Sequence, residues 1–305
     1  MTASPGAAGA DSATDPAAVA AAPLAGVRVV TLAPNLPGPV AAARLAALGA
    51  DVLKVEPPGG DLLAMACPPY YAALAAGQRV RVIDLKDPAG RAELEEQLRD
   101  ADLLLTSSRP AALAKLGLGF AELAARHPRL AQVAIVGEVA DPEHPGHDLT
   151  YQAAAGTLQP PAMPPVPWAD MAGAERVVAE ALLALTIVGR TGGGVLRTVG
   201  LGDVVADLAA PLRHGLTGPG APLGGALPQY AIHAAAEGHV AVAALEPHFL
   251  GRLIAELGLG PDAAAALASG DGAALAETLR GRTAAQWAAW AAERDLPIAE
   301  VRRPG

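Results

Sequence analysis

The feature that most constrains this chain is an alternation of short β-rich runs with helical segments that begins at Gly26. VRVVTL (27–32) is typical of a buried parallel strand, and an Ala/Leu-rich helix over 38–48, closed by Gly49, is predicted after it. Further strands are predicted at 50–56, 80–85, 101–106 and 131–137, with a charged surface helix at 91–100. Such alternation favours a mostly parallel sheet covered by helices on both faces. Its ligand is expected beyond the carboxyl ends of the strands.

The second half of the sequence has a different character. A long helix is predicted from about Met171 to Val188, then a strand at 195–199 and a helix around 202–213. Next, YAIHAA and HVAVAAL alternate like a hairpin, and three Ala-rich helices are predicted before LPIAEV. The sequence therefore predicts a disordered Ala/Ser/Gly arm (1–22), a large α/β domain (23–216), a Gly/Pro-rich linker or active-site loop (217–228) and a small α+β domain (229–305).

Composition and charge narrow the class of partner. The 305 residues include 22 basic and 31 acidic side chains, which give a formal net charge of −9. Nucleic-acid and anionic-membrane surfaces need concentrated Lys and Arg, so neither partner is expected. The lack of a signal-peptide pattern and of a strongly apolar stretch of membrane-spanning length favours a cytoplasmic protein. The single cysteine, Cys67, excludes an internal disulfide and any Cys-rich metal site, and no metal is expected.

The glycine-rich segments do not match a nucleotide-binding signature. Gly192–Gly194 and Gly202-Asp203 do not fit a G-x-G-x-x-G motif between a strand and a helix, and the sequence contains no Walker A motif. The sequence therefore gives no support to a nicotinamide cofactor or a nucleoside triphosphate.

Three titratable residues stand out near predicted helix starts. His147, in HPGHDLTYQ, is expected at the mouth of a helix, where the N-terminal dipole would keep the imidazole neutral and able to act as a base. Asp170 precedes a long apolar helix, and taken alone it is better explained as an N-cap carboxylate. Glu246 lies between an apolar run and a proline, where a helix-start carboxylate is the ordinary explanation. The other histidines, His144 among them, are explained as solvated or capping side chains.

Several ordered segments together resemble the class III CoA-transferase superfamily, which includes formyl-CoA transferase, the carnitine CoA-transferases and α-methylacyl-CoA racemase. The motifs that carry the resemblance include ADVLKVEPPGGD, IDLKDPAG, GHDLTYQ, WAD and ALEPHF, and the similarity runs from about Leu24 to Val301. The resemblance implies the CoA-transferase family III fold, with a Rossmann-like large domain and a smaller α+β domain. It also implies a homodimer with the active site near the subunit interface.

Two chemistries within this superfamily depend on particular positions. For a transferase, the resemblance implies that Asp170 attacks an acyl-CoA and carries an aspartyl-CoA thioester. Asp148 and Tyr151 are then the helper candidates. For a racemase, the resemblance implies that His147, the histidine of the GHD motif, and Asp170 lie on opposite faces of the α-carbon. Glu246 then supports the histidine. All of these residues are present here, and the loop GAPLGGALPQY is closer to the racemase pattern. The favoured function is a 2-methylacyl-CoA racemase or epimerase, with an acyl-CoA:carboxylate CoA-transferase and an inactive CoA-binding homologue as alternatives.

The chemistry of a racemase sets requirements on these groups. A thioester α-proton is weakly acidic, so its removal needs a positioned base and stabilisation of the enolate oxygen. Neutral His147 with protonated Asp170 forms one competent pair, and ionised Asp170 with cationic His147 forms the reverse pair. Glu246 would orient the imidazole, and the backbone N–H of Asp170 would meet the enolate oxygen. The acyl chain is expected to lie among small aliphatic side chains.

The substrate implied by the resemblance is an acyl-CoA thioester, and no cofactor beyond the coenzyme A of the substrate is implied. By motif position the CoA contacts fall on Asn35, Leu36, Ile83, Leu85, Lys86, Ser107, Ser108 and Lys115, with Arg79 and Arg109 as further cationic candidates. The sequence also departs from the family pattern. It has Ala75-Ala76-Gly77-Gln78-Arg79 in place of Asn-Arg-Gly-Lys-Arg, and Gly137-Glu138-Val139 in place of Gly-Phe/Trp-Gly.

Overall fold

A computed structural model of the chain describes residues 16–302. Most of the predicted disordered arm (1–22) lies outside the described residues, and its described end forms a short helix, α1 (Pro16–Ala21). The chain divides into two compact units, the first ending at Asp207 and the second beginning at Leu208. No helix within residues 16–302 combines the length and the apolar character that crossing a membrane requires.

The first unit alternates strands with helices as the sequence predicts. After α1 its elements are β1 (Arg28–Thr31), α2 (Pro37–Ala47), β2 (Asp51–Glu56), α3 (Leu62–Ala66), α4 (Pro68–Ala75), β3 (Arg79–Val82), α5 (Pro88–Arg99), β4 (Leu103–Thr106), α6 (Pro110–Lys115), α7 (Phe120–Arg126), β5 (Ala131–Val136), α8 (Asp148–Ala155), α9 (Trp168–Thr191) and β6 (Leu196–Gly200), followed by α10 (Leu201–Leu208) at the junction of the units.

Among the described residues of this unit, six strands form one parallel sheet in the order β3-β2-β1-β4-β5-β6. The chain order reverses between β1 and β4, which are neighbours in the sheet. The helix that follows β1, α2, packs into one apolar cluster, and the helix that follows β4, α6, packs into another. In parallel sheets of this kind, ligands bind beyond the carboxyl ends of the strands at such a reversal. The predicted α/β class with a Rossmann-like sheet is confirmed.

Apolar clusters cover both faces of the sheet. Because neighbouring side chains of a strand point to opposite faces, Leu103 and Leu105 of β4 pack into one cluster and Leu104 into another. The first cluster includes the buried stripe of α9, which repeats every three or four residues (Ala174, Val177, Ala181, Ala184, Val188). α9 ends at Gly192, whose φ of 73° suits the left-handed cap of a helix.

Three local differences from the predicted elements have physical causes. β3 ends at Val82 because Ile83–Lys86 form a turn, in which the Asp84 side chain accepts the N–H of Lys86 at 2.9 Å. The Pro/Gly stretch after β2 contains two helices, α3 and α4, which the prolines obscured in the sequence pattern. The predicted helix around 202–213 is divided, since Pro211 cannot donate the backbone hydrogen bond that would continue α10.

The second unit has its own sheet and core. Its elements are α11 (Ala210–Arg213), a π-helical turn (Pro222–Ala226) within the predicted loop, β7 (Tyr230–Ala234), β8 (His239–Ala243), α12 (Pro247–Glu256), α13 (Pro261–Ala268), α14 (Ala273–Leu279), α15 (Ala284–Ala292) and β9 (Ile298–Glu300). Its strands pair antiparallel in the order β7-β8-β9, as expected of a small α+β unit. In the described structure four helices, α12 to α15, lie between β8 and β9, where the sequence predicts three Ala-rich helices.

Candidate active site

A cavity of about 240 Å³ lies in the first unit beyond the carboxyl ends of its strands. The loops that follow β1, β4 and β5 all contribute to its lining. Its polar lining residues are Asn35, Ser107, Arg109, His144, His147, Tyr151 and Asp170. The remaining lining consists of four prolines, three aliphatic side chains and two glycines, so the cavity is more polar than the small aliphatic pocket expected from the sequence. The structure thus places His147 and Asp170, which are 23 residues apart in the sequence, around one space.

His147 occupies the N-cap position of α8, as the sequence predicts for a helix mouth. Its backbone is extended, with φ of −142°, and its main-chain N–H donates to Thr150 Oγ1 at 3.0 Å. The Thr150 N–H in turn donates to the His147 carbonyl oxygen at 2.9 Å. These reciprocal bonds fix the backbone of His147 and leave its exposed imidazole at the wall of the cavity.

Asp148 joins the starts of the two helices that carry His147 and Asp170. Its Oδ1 accepts the backbone N–H groups of Ala169 at 2.8 Å and of Asp170 at 3.1 Å. Its Oδ2 accepts the side-chain amide of the buried Gln152 at 2.6 Å. Asp148 therefore caps α9 from another helix and satisfies N–H groups that a helix start otherwise leaves unpaired.

Asp170 is the third residue of α9, and the N-cap position belongs to Pro167. The interpretation of Asp170 as an N-cap carboxylate is therefore wrong. Burial, with a smaller effect of the Asp148 carboxylate, raises the pKa of Asp170 to about 6. The expectation that the Asp170 N–H would meet an enolate oxygen is also wrong, because that N–H already donates to Asp148.

Tyr151 lies one turn along α8 and is buried against glycine. A Cβ at Gly137 would lie 2.6 Å from the Tyr151 hydroxyl oxygen, and a Cβ at Gly146 would lie 2.6 Å from the ring carbon Cζ. The hydroxyl makes no hydrogen bond within residues 16–302. Burial, followed by the Asp170 and Glu138 carboxylates, raises the pKa of the phenol. Tyr151 is therefore protonated at neutral pH and presents an unused donor to the cavity.

The predicted CoA contacts are divided between different places. Asn35, Ser107 and Arg109 line the cavity. Lys86 in the turn after β3, Ser108 in the loop after β4 and Lys115 at the end of α6 are exposed and do not line it. Leu36, which precedes α2, and Leu85 are partly buried against the core. The structure does not bring Ile83 or Arg79 to the cavity. The Ile83 side chain is buried in the core, and Arg79 begins β3 at the amino edge of the sheet.

Arg79 has a structural partner at that edge. Its guanidinium makes two hydrogen bonds to the Asp51 carboxylate, at 3.0 and 3.1 Å. Because parallel strands end at the same edge, the amino ends of β2 and β3 are opposite the edge where the cavity lies.

Glu246 belongs to the second unit, where it is the exposed N-cap residue of α12. Its side chain makes no capping hydrogen bond to that helix. Within the described residues, no cluster of His, Cys, Asp and Glu has the arrangement of a metal site.

Sequence reasoning missed two features of the site. His144 lines the cavity, although the sequence favoured a solvated histidine in a proline-rich loop. The only signal for it was its position three residues before His147. The bridge from Asp148 to the start of α9 was not predicted, because it joins residues 21 and 22 positions apart through tertiary contact.

Comparison with known proteins identifies the family. A family model described as CoA-transferase family III matches residues 24–305, and the chain belongs to that family. The superfamily predicted from the sequence is therefore confirmed. A solved structure of a CaiB/BaiF family protein from Brucella suis superposes with a TM-score of 0.78 at 25% identity, covering 92% of this chain and 84% of that one. The predicted family fold agrees with this likeness.

The relatives include both kinds of enzyme that the sequence predicts. α-Methylacyl-CoA racemase from Homo sapiens is 33% identical over 258 residues, covering 78% of this chain and 66% of the racemase. The BbsE subunit of succinyl-CoA:(R)-benzylsuccinate CoA-transferase from Thauera aromatica is 33% identical over 252 residues, covering 72% and 59% respectively. Succinate–glutarate CoA-transferase from Agrobacterium fabrum is 40% identical over 129 residues, covering 38% and 32%. The chain thus spans from about a third to two thirds of the length of these curated relatives.

Proposed function

We propose that the protein is a 2-methylacyl-CoA racemase or epimerase that removes and returns the proton at the thioester α-carbon. The observation that carries the proposal is the placement of His147 and Asp170 around one cavity, with Asp148 fixing the helix starts on which both residues lie. A racemase needs two proton-transfer groups that reach one carbon atom from different sides, and these residues supply a base and an acid.

The proton transfers use both residues in each direction. Neutral His147 takes the α-proton, the C–H electron pair enters the enolate, and protonated Asp170 returns a proton to the other face of the carbon. In the reverse direction ionised Asp170 is the base and cationic His147 is the acid. A pKa of about 6 for Asp170 supports this exchange of roles, because both of its forms are then accessible near neutral pH.

The developing enolate oxygen requires a hydrogen-bond donor, and Tyr151 supplies it in this proposal. The phenol is protonated and unpartnered within the described residues, and it lines the same cavity as Asp170. A donor already in place where charge develops stabilises the transition state without reorganisation. The substrate is then an acyl-CoA thioester, with Asn35, Ser107 and Arg109 as contacts within the cavity. The role of Glu246 and the homodimer stay predictions from the resemblance.

Stereochemical inversion tests this function directly. A single epimer of a 2-methylacyl-CoA is incubated with the protein in the absence of any carboxylate acceptor, and the product is resolved by chiral chromatography. We expect the mixture to approach equal amounts of both epimers, and His147→Ala to reduce the rate by at least about 100-fold. His239→Ala, at an exposed histidine of the second unit, is the matched control and should leave the rate unchanged. An epimer that persists with the unmodified protein contradicts the proposal.

A CoA-transferase is the second candidate. It is favoured by the transferase relatives, one of which matches this chain at the same 33% identity as the racemase. In that reaction the Asp170 carboxylate attacks the thioester carbonyl, giving a mixed anhydride and free CoA thiolate. The thiolate then attacks the aspartyl carbonyl, which breaks the anhydride bond, forms the aspartyl-CoA thioester and releases the donor carboxylate. The acceptor carboxylate repeats these steps in reverse, leaving as the new acyl-CoA and regenerating the Asp170 carboxylate. An acceptor-dependent transfer, with a mass adduct on Asp170 that hydroxylamine removes, would establish the transferase in place of the racemase.

A further inference from the structure

A buried ionic cluster lies under the loop that carries Asn35. It consists of Lys54 and Glu56 of β2 and Asp61, and these residues are 3%, 7% and 1% exposed. The Lys54 ammonium donates to Glu56 Oε1 and to Asp61 Oδ2, the latter at 2.6 Å. The Tyr71 hydroxyl also donates to Glu56, at 2.8 Å, and its ring centroid lies 5.0 Å from Lys54 Nζ. None of these four residues lines the cavity.

Burial of these charges is costly and needs a reason. Removing charged groups from water costs several kcal/mol per ion, and apolar side chains of similar volume are often at least as stabilising as a buried ion pair. This cluster contains one cation and two carboxylates, so it also keeps a formal excess negative charge inside the protein. A gain in stability therefore does not explain the cluster well, whereas fixing one local conformation does.

Asp61 connects the cluster to the loop. While its Oδ2 is held by Lys54, its Oδ1 accepts the N–H of Asn35 at 3.2 Å and the N–H of Leu63, at the start of α3, at 2.9 Å. The Asn35 backbone has a φ of 71°, in the left-handed region that side chains other than glycine seldom adopt. Asparagine adopts this region more readily than most residues with a side chain, but less readily than glycine. The bond from Asp61 therefore holds an uncommon backbone bend in place.

The bend shapes the wall of the cavity. Pro34, Asn35 and Pro37 all line it, and the loop leads directly from β1 into α2. We propose that Asp61, held by Lys54, is a positioning residue that fixes the Asn35 bend in the conformation that receives the acyl-CoA. The choice of acyl-CoA as the ligand rests on the proposed function, whereas the positioning of the bend does not.

Amide hydrogen exchange tests the positioning without any ligand. The segment PNLP contains only two backbone N–H groups, those of Asn35 and Leu36, so a short peptide that spans it reports on the bend. Asp61→Asn removes the charge that pairs with Lys54, and we expect exchange in this peptide to become about tenfold faster. The peptide from α8 should keep its wild-type exchange. Unchanged exchange at the bend would overturn the inference.

Substitution by glycine distinguishes positioning from general destabilisation. Glycine adopts a positive φ without the steric cost that a Cβ imposes. In the Asn35→Gly variant the bend should therefore depend less on the hydrogen bond from Asp61. The probe is propionyl-CoA, with its Kd measured by titration calorimetry. We expect Asp61→Asn to weaken binding about tenfold in the wild-type background, and less than about threefold in the Asn35→Gly background. If Asp61→Asn raises the Kd of propionyl-CoA by the same factor in the wild-type and Asn35→Gly backgrounds, Asp61 does not act through the bend.

A second variant covers the case in which Asp61→Asn does not fold. Lys54→Met with Glu56→Gln replaces the other two charges by neutral side chains of similar size and leaves Asp61 without its ammonium partner. The same faster exchange is expected at the bend, and wild-type exchange would again overturn the inference. If the unmodified protein binds no propionyl-CoA, the proposed function fails, while hydrogen exchange still decides whether Asp61 positions the bend.

Discussion

Asp148 and Asp170 show how neighbouring carboxylates acquire different tasks. A carboxylate in the first turn of a helix is normally favoured as an anion by the unpaired N–H groups and the helix dipole. At α9 the N–H groups of Ala169 and Asp170 donate to Asp148, so Asp170 does not receive that stabilisation. What acts on Asp170 is burial and the nearby negative charge, and both raise its pKa. Asp148 fixes the start of α9, whereas Asp170 has a pKa near neutral pH and can exist in both protonation states.

The raised pKa of Asp170 predicts how stability depends on pH. Because the pKa of about 6 in the folded protein lies above the ordinary 3.8, the folded state holds a proton that the unfolded chain releases between these pH values. The contribution of Asp170 to the free energy of unfolding therefore falls as the pH rises from about 4 to above 6. Asp170→Asn should be more stable than the wild type at pH 7.5, and the difference should disappear near pH 4. Urea unfolding at several pH values measures this, and a pH-independent difference would contradict it.

The bridge made by Asp148 predicts a large effect on activity. Asp148→Ala removes the acceptor that holds the start of α9 against α8, so His147 and Asp170 lose their relative placement. We expect racemisation kcat/KM to fall about 100-fold, because small displacements of reacting groups have effects of that size. The control is Asp271→Ala, which removes a side-chain acceptor of the Ala273 N–H in the second unit and should leave kcat/KM unchanged. A fully active Asp148→Ala variant would refute this positioning role.

At the scale of elements, the sequence predicts what local patterns determine. The apolar runs of β1, β4 and β5 match the observed strands because buried parallel strands are rich in consecutive hydrophobic residues. β2 was also predicted, from its Val and Leu residues, although it carries the buried charges of Lys54 and Glu56. The Gly-His-Asp pattern also placed His147 correctly at the start of α8. The same patterns missed α3 and α4 within the Pro/Gly stretch and extended β3 past Val82.

The parts that could not be predicted depend on contacts between distant segments. The Asp148 bridge, the polar lining of the cavity and the pairing of Arg79 with Asp51 all require the folded sheet. Resemblance supplied Asp170 as a site residue, whereas its own sequence neighbourhood suggested only a helix cap. Burial, which changes its proton affinity, has no local sequence signal.

The end of α8 gives a prediction at this scale. Gly156 ends the helix with φ of 73°, and a Cβ there would meet no atom within 4 Å, so only backbone strain opposes a side chain. Gly156→Ala should lower the free energy of unfolding by about 1 kcal/mol. Gly189→Ala, inside α9 and equally free of contacts, should raise it by about 0.5–1 kcal/mol. Urea unfolding measures the free energy of unfolding of each variant. Changes of the same sign in the two variants would contradict this explanation.

For the whole molecule, the net charge of −9 opposes a ligand that carries phosphates. The basic side chains of Lys86, Arg109 and Lys115 form no ion pair within residues 16–302 and are the candidates to attract it. We expect the Kd of coenzyme A to rise about 3–10-fold between 50 and 500 mM NaCl, because salt screens exposed charges. A pantetheine thioester, which lacks the phosphates, should show almost no salt dependence. Calorimetry measures both, and a salt-independent Kd for coenzyme A would contradict this charge account.

The central claim is that His147 and Asp170 exchange protons with the α-carbon of an acyl-CoA. Its most direct test is the incorporation of deuterium from deuterium oxide into a 2-methylacyl-CoA, followed by mass spectrometry. The wild-type protein is expected to exchange the α-proton of both epimers. Because each residue removes the proton from one face of the carbon, His147→Ala should reduce exchange by at least about 100-fold for one epimer and Asp170→Asn for the other, while His239→Ala should change neither. Exchange that persists unchanged in both site variants, or that is absent from the wild type, would contradict the account.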